Sequence, residues 1–181
     1  MTEELDKFQQ TLEDGLVKVC RMSGLPIDMM GSPDIDDKWD ILIKGYVADA
    51  IENYNDYPDA ALGFAAYLGM GVANQWDKDW AHYKDKTYKS YYGDRGFDNM
   101  DERIAEGILH LNPEQCRKLS RCILNCAQAT RDLIRHQDID IQTEYGFYIL
   151  TRCYTAMYRI GAAIELNRLG YKKQKAGQMM S

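Results

Sequence analysis

The chain has 181 residues, of which 45% are hydrophobic and 28% are charged, and its formal net charge is −6. This composition is typical of a packed globular protein and excludes a disordered chain, and the length suffices for one core without a disulfide or metal staple. The longest uncharged run, residues 60–76, is too short to span a bilayer comfortably and includes Asn74 and Gln75. Residues 1–10 hold three acids and no apolar run, which excludes the core of a secretory signal and predicts a cytoplasmic protein.

The charge is divided unevenly between two parts of the chain. Residues 1–59 contain fourteen acids and five bases, a balance of −9, whereas the remainder contains fourteen acids and seventeen bases, a balance of +3. Opposite charges of this size should attract the two parts to each other. The attraction can help the chain close on itself or help two copies pair.

The first half of the chain predicts three helices. Thr2 is a candidate cap for the first helix and Ser32, followed by a proline, for the second. The second helix carries the most regular apolar pattern, at spacings of three and four residues over residues 39–54. The third, residues 58–83, is apolar or small almost throughout its first sixteen residues, which predicts a helix that is buried on more than one side.

The second half predicts an ordered loop and three more helices. Asp98 is a candidate cap for a short helix, and Asn112 with Gln115 approximates a capping box at the start of a long one. Thr143 can cap the last helix, which Gly170 ends. With no convincing strand pattern, the sequence predicts an all-α fold.

The connections between predicted helices are short, which favours antiparallel neighbours. We therefore expect a single-domain antiparallel helical bundle of about six helices over residues 1–171. The remaining residues, 172–181, form a polar tail that we expect to be mobile.

Five cysteines, at positions 20, 116, 122, 126 and 153, form no CxxC pair, and their spacing does not match a zinc site. Cys122 and Cys126 fall on the apolar side of the long fifth helix. An odd number of cysteines favours reduced thiols over a disulfide framework. We therefore interpret all five as buried thiols that act as small hydrophobic residues.

Each of the three histidines follows an acid by three or four residues. Asp79 precedes His82 and Glu106 precedes His110, spacings that bring two side chains together on a helix. Di-metal bundles use glutamate and histidine three residues apart, although no Glu-x-x-His occurs here. These four residues are candidate metal ligands, and the alternative is that they form surface pairs or caps.

The loop over residues 83–95 interleaves four tyrosines with four basic residues, a combination that single-strand binders use. Asp85 and Asp94 dilute its positive charge, and the whole protein is acidic. The sequence therefore does not favour nucleic-acid binding. It also contains no phosphate-binding glycine loop and no recognisable nucleophile motif, so we expect no cofactor.

Arginines form a line on the outer side of the fifth helix: Arg117, Arg121, Arg131 and Arg135. Their planar guanidinium groups suit carboxylates and phosphates, so the line is a candidate surface for an acidic partner. A solvated helix face is the alternative interpretation. The acidic first third of the same chain is the nearest obvious partner.

The third helix offers one further candidate site. Ala and Gly residues, including Gly69, recur at four-residue steps along one side, and the helical projection continues that side to Trp76, Trp80 and Tyr83. Small residues of this kind leave room for a close helix neighbour. The alternative is a ligand pocket at Gly69 that the three aromatic residues frame.

These patterns lead to two hypotheses about function. The first is a non-catalytic cytoplasmic protein that acts through protein–protein contacts, either as a homodimer or by binding another protein. The second is a metal- or small-molecule-binding helical bundle, either an enzyme or a binding protein. Copy number and bound ions in the purified protein discriminate between them.

Overall fold

The computed structural model describes residues 1–172, and over that range the protein is an all-α antiparallel bundle of six helices, as predicted. The predicted mobile tail, residues 172–181, lies outside the described residues from residue 173 onward. No helix among residues 1–172 is long and apolar enough to cross a membrane. The helices are α1 (Thr2–Met22), α2 (Pro33–Tyr54), α3 (Pro58–Tyr83), α4 (Met100–Glu102), α5 (Pro113–His136) and α6 (Glu144–Arg168).

Three predicted helix caps are confirmed. The Ser32 hydroxyl accepts a hydrogen bond from a backbone N–H of α2, and the Thr143 hydroxyl does the same for α6. At the start of α5, Asn112 and Gln115 form a complete capping box, in which each side chain accepts from the other residue's backbone N–H. Such caps satisfy N–H groups that have no partner within the helix.

The predicted caps at Thr2 and Asp98 are wrong. Thr2 is already the first helical residue of α1, and no side chain caps that helix. Asn99 is the residue that precedes α4, and its side chain holds the preceding turn instead, because it accepts from the Arg95 N–H and donates to Asp94. Beyond α4 the chain continues as a π-helical segment, Arg103–Ile108.

The α3–α6 pair makes the largest helix contact in the fold. A Cβ atom at Gly69 of α3 would lie 2.0 Å from the Tyr158 carbonyl oxygen, and one at Gly161 of α6 would lie 1.8 Å from the Ala66 carbonyl oxygen. Both obstacles are backbone atoms, so neither can swing aside. The glycines therefore let the two helix backbones come close, which confirms the predicted close packing along the small-residue side of α3.

The loop after α3 is held by a buried lysine. Lys38 is only 2% exposed, and its ammonium group donates to the carbonyl oxygens of Lys84 and Lys86. Further along, a 3₁₀ turn at Tyr88–Tyr91 buries Tyr91 completely, and its hydroxyl donates to Gln75 at 2.6 Å. The tyrosines of this loop thus pack on the core.

The two oppositely charged parts of the chain form ion pairs with each other within the molecule. Of six ion pairs among the described residues, four join residues 1–59 to the remainder. The most buried of these four is that of Arg159 with Glu13, at 3.1 Å, where the Glu13 side chain is 6% exposed and the same guanidinium also reaches Asp36. These contacts support the first of the two predicted uses, in which the chain closes on itself.

Candidate functional site

The residues predicted for a pocket on α3 do not share one surface. Gly69 faces the α6 backbone, so helix packing occupies the space that a ligand would need, and the pocket hypothesis is wrong for this residue. Trp76 is half-buried, and its indole N–H donates to Asp34 at 3.1 Å. Trp80 and Tyr83 are also half-buried, but they lie beyond a break in the helix.

That break is at Asp79, whose φ of −170° and ψ of 82° are extended values inside α3. The Asp79 carboxylate accepts the backbone N–H of His82 at 3.3 Å, which caps the final turn of the helix. The helical projection therefore does not carry from Trp76 through to Tyr83. Because the sequence gives a continuous helical pattern here, it could not predict this change of direction.

The four predicted metal ligands, Asp79, His82, Glu106 and His110, do not come together as a ligand set. The Asp79 carboxylate is engaged with backbone, and the exposed His82 ring packs edge-on against Tyr83. Glu106 lies in the π-helical segment, whereas His110 lies beyond its end with a left-handed φ of 53°. The regular i, i+4 geometry assumed for this pair is therefore absent, and these four do not form a ligand cluster within residues 1–172.

The predicted arginine line divides into two halves. Arg131 is half-buried and pairs with Asp59 of α3 at 3.0 Å, and the exposed Arg135 pairs with Asp132 on its own helix. Arg117 and Arg121 are exposed and form no ion pair with any residue in the described range. The second half of the line thus forms ion pairs within the chain, whereas the first half is exposed to solvent.

Arg117 and Arg121 border a cleft of about 470 Å³ between α5 and the 100–108 segment. We call it the charged cleft; its lining residues are Tyr67, Asp101, Glu102, Ala105, Glu106, Cys116, Arg117, Ser120, Arg121 and Leu124. The acids all come from the 100–108 segment and the arginines from α5, so the two sides carry opposite charge. The acids, like the two arginines, have no ion-pair partner among residues 1–172.

Burial affects the titration of groups in the charged cleft. It raises the pKa of the Asp101 carboxyl, an effect that hydrogen bonds from nearby backbone only partly offset. It also raises the pKa of Tyr67 to about 12, although Ser120 lowers it in part through a hydrogen bond. Leu124, with 43% of its surface exposed, adds an apolar contact point beside the charges.

A second cluster, which the sequence analysis missed, consists of three cysteines. Cys20 lies in the last turn of α1, and Cys122 and Cys126 lie one turn apart on α5. All three are buried, and their sulfur atoms lie within 4.8 Å of one another. The Cys20 and Cys126 sulfurs are 3.7 Å apart. We call this group the thiol cluster.

The thiols of the cluster perturb one another. Hydrogen bonds that involve Cys126, Cys20 and Ser23 lower the pKa of Cys122 below that of an ordinary thiol. The same contacts with Cys122 raise the pKa values of Cys20 and Cys126. The titrations of the three thiols are therefore coupled, because each sulfur lies within 4.8 Å of the other two.

The other two cysteines show what isolated thiols look like in this fold. Cys153 is fully buried, and burial alone raises its pKa. Cys116 is half-buried in the charged cleft, so the prediction that all five thiols are buried is wrong for this one. Spacing in the sequence could indicate Cys122 and Cys126 as neighbours, but only the packing of α1 on α5 brings Cys20 to them.

The geometry thus offers two features beyond simple packing, the charged cleft at the surface and the thiol cluster inside. No family model, no curated protein and no solved structure matches this chain. These two features are therefore the candidate functional sites of the chain.

Proposed function

We propose that this chain is a non-catalytic cytoplasmic protein that acts through protein–protein contacts, and that it pairs with a second copy of itself through the charged cleft. The observation that carries the proposal is the presence of opposite, unpaired charges on the two sides of one cleft. The alternative partner, a different protein with an acidic surface, would use the same arginines.

A twofold dimer requires a self-complementary surface, because each residue that contacts a partner residue is contacted in return by its equivalent. The charged cleft meets this requirement. Arg117 and Arg121 of one copy can face Glu102 and Glu106 of the other, and the reverse pairs form at the same time. A surface with only the arginines would instead repel its own copy.

Charge pairs at an exposed surface contribute only about 0.2–1 kcal/mol each, so they set the register of the contact more than its strength. The strength must come from apolar surface that pairing removes from water. Leu124 beside the arginines is 43% exposed, and burying a leucine side chain fully contributes about 1.5–3 kcal/mol. Leu124 is therefore the candidate anchor of the contact.

The close approach of two buried thiols supports the cytoplasmic location. All five cysteines are free, although the Cys20 and Cys126 sulfurs lie only 3.7 Å apart. In an oxidising compartment, neighbouring thiols of this kind would be at risk of forming a disulfide. A reducing compartment keeps them as thiols.

Charge reversal with complementation tests the pairing. One variant, Arg117→Glu with Arg121→Glu, makes the cleft acidic on both sides, and a second, Glu102→Arg with Glu106→Arg, makes it more basic. Sedimentation velocity should find wild type dimeric, each variant alone monomeric, and an equimolar mixture of the two dimeric again. Restoration by mixing is the informative result, because a general loss of stability could not produce it.

The control variant is Arg21→Glu with Arg135→Glu, which changes net charge by the same amount at exposed arginines outside the charged cleft. It should remain dimeric. If wild type is monomeric throughout the concentration range, or if both charge-reversed variants remain dimeric alone, the proposed pairing is wrong. Wild type that is monomeric but binds an acidic partner protein through Arg117 and Arg121 would select the alternative partner.

A further inference from the structure

The thiol cluster is a second site, independent of the charged cleft. We propose that Cys20, Cys122 and Cys126 bind one thiophilic metal ion through their three sulfur atoms. The relevant ions are zinc(II) and copper(I), which thiolate ligands favour over harder cations.

The distances fit a single ion. With a metal–sulfur bond of about 2.3 Å, sulfurs that share an ion lie about 3.8 Å apart in a tetrahedron and about 4.0 Å apart in a trigonal plane. The observed separation of Cys20 and Cys126 is 3.7 Å, and all three sulfurs fall within 4.8 Å of one another. Shifts of less than about 1 Å would therefore complete the site.

Simple core packing explains the cluster less well. Apolar side chains such as alanine and valine could pack this region without placing polarisable, weakly polar groups against one another. Cys153 is an equally buried cysteine of this core, and it belongs to no such group. Within residues 1–172, Cys20, Cys122 and Cys126 form the one group of three or more potential ligand residues whose ligand atoms converge.

A disulfide is a poorer account of all three thiols. A bond between Cys20 and Cys126 would require their sulfurs to approach from 3.7 Å to about 2.0 Å, and it would leave Cys122 unused. One metal ion would bind all three sulfur atoms of the cluster. Each thiol that becomes a ligand releases its proton to solvent as its metal–sulfur bond forms.

The surroundings distinguish the two ions. Three thiolates suffice for copper(I), whereas zinc(II) prefers four ligands. Ser23 ends α1 three residues after Cys20, and its hydroxyl accepts a hydrogen bond at 3.1 Å from Asn125, the residue before Cys126. That hydroxyl, or a water molecule that it holds, is available as the fourth zinc ligand. Ser23 is itself half-buried, so solvent reaches this turn.

The test begins with reduced, metal-free full-length protein, to which zinc chloride or a copper(I) acetonitrile complex is added in separate arms. Native mass spectrometry counts bound ions, and competition with a chromophoric chelator gives the affinity. Cobalt(II) serves as a spectroscopic probe, because thiolate ligands give it intense sulfur-to-metal charge-transfer absorption. We expect one ion per chain, thiolate absorption with cobalt(II), and protection of three thiols from alkylation.

The variant is Cys122→Ser, and the matched control is Cys116→Ser, a half-buried cysteine outside the cluster. Cys122→Ser should weaken binding by more than the roughly 10- to 100-fold that loss of an outer-shell partner costs, and Cys116→Ser should bind as wild type does. Binding of either ion with this pattern supports the site. Absence of binding in both arms, or an affinity that Cys122→Ser leaves unchanged, overturns it.

Discussion

Gly69, where α3 packs directly against the α6 backbone, allows a sharp test of how the fold is held together. Gly69→Ala adds one methyl group 2.0 Å from the Tyr158 carbonyl oxygen, whereas ordinary contact begins at 3.4 Å. Since the obstacle is backbone, α3 and α6 must move apart by roughly 1 Å, a gap that forfeits a quarter to a half of the attraction between facing atoms. The methyl group of Gly69→Ala thus loosens the largest helix contact among the described residues.

Two effects of opposite sign determine the magnitude. Alanine is favoured over glycine within a helix by about 1 kcal/mol, which offsets part of the loss. Overpacking a well-packed core costs about 1–3 kcal/mol, and an immovable backbone obstacle belongs at the upper end of that range. We therefore expect Gly69→Ala to lower the free energy of unfolding by about 2 kcal/mol, and the melting temperature by roughly 4–8 °C.

Urea unfolding followed by far-ultraviolet circular dichroism measures this change. Gly15→Ala is the matched control, because Gly15 lies within α1 and an added Cβ there would meet nothing within 4 Å. That variant should be more stable than wild type by about 0.5–1 kcal/mol, since only the helix preference acts. If Gly69→Ala is stabilised to the same degree as Gly15→Ala, the close crossing of α3 and α6 is wrong.

Two further predictions concern charge and pH. Arg159→Met leaves the buried Glu13 carboxylate without its ionic partner and should lower the free energy of unfolding in urea by roughly 3 kcal/mol. Arg135→Met removes an exposed ion pair and should lower it by less than about 1 kcal/mol. Equal effects of the two substitutions would contradict the difference in burial between the pairs. Burial raises the pKa of Tyr67 to about 12 from its ordinary value of 10.0, so its contribution to stability is complete below pH 10 and is lost as the pH rises to 12. Burial also raises the pKa values of other core tyrosines, including Tyr91 and Tyr154. Tyrosinate absorbance should therefore appear together with alkaline unfolding. If these tyrosines titrate as they do in the urea-unfolded chain, this prediction is wrong.

Local signals in the sequence predicted much of the fold. The capping box of Asn112 with Gln115, the proline that follows Ser32, and the apolar run of α3 each act within a few residues, so each is visible without the fold. The helical pattern of residues 58–83 did not predict the break at Asp79. There a side chain caps a new turn inside an apparently continuous helix, and periodicity alone cannot distinguish the two arrangements.

The candidate sites depend on contacts between distant residues, and the sequence predicted less of them. The arginine line was visible as a periodic pattern, but its division into a structural and an available half depends on Asp59 reaching Arg131. The thiol cluster was hidden, because Cys20 and Cys126 are separated by 106 positions in the chain. Their approach follows from the packing of α1 on α5, which no spacing within either helix encodes.

Self-association through the charged cleft is the central claim, and native mass spectrometry of the reduced, full-length protein tests it most directly. The chain has a mass of 20.9 kDa, so a dimer and a monomer are separated without ambiguity. The account predicts two chains per assembly, and it predicts one ion per chain after zinc(II) or copper(I) is added. A monomer at every concentration would contradict the pairing, whereas a metal-free dimer after both additions would contradict the thiol site alone.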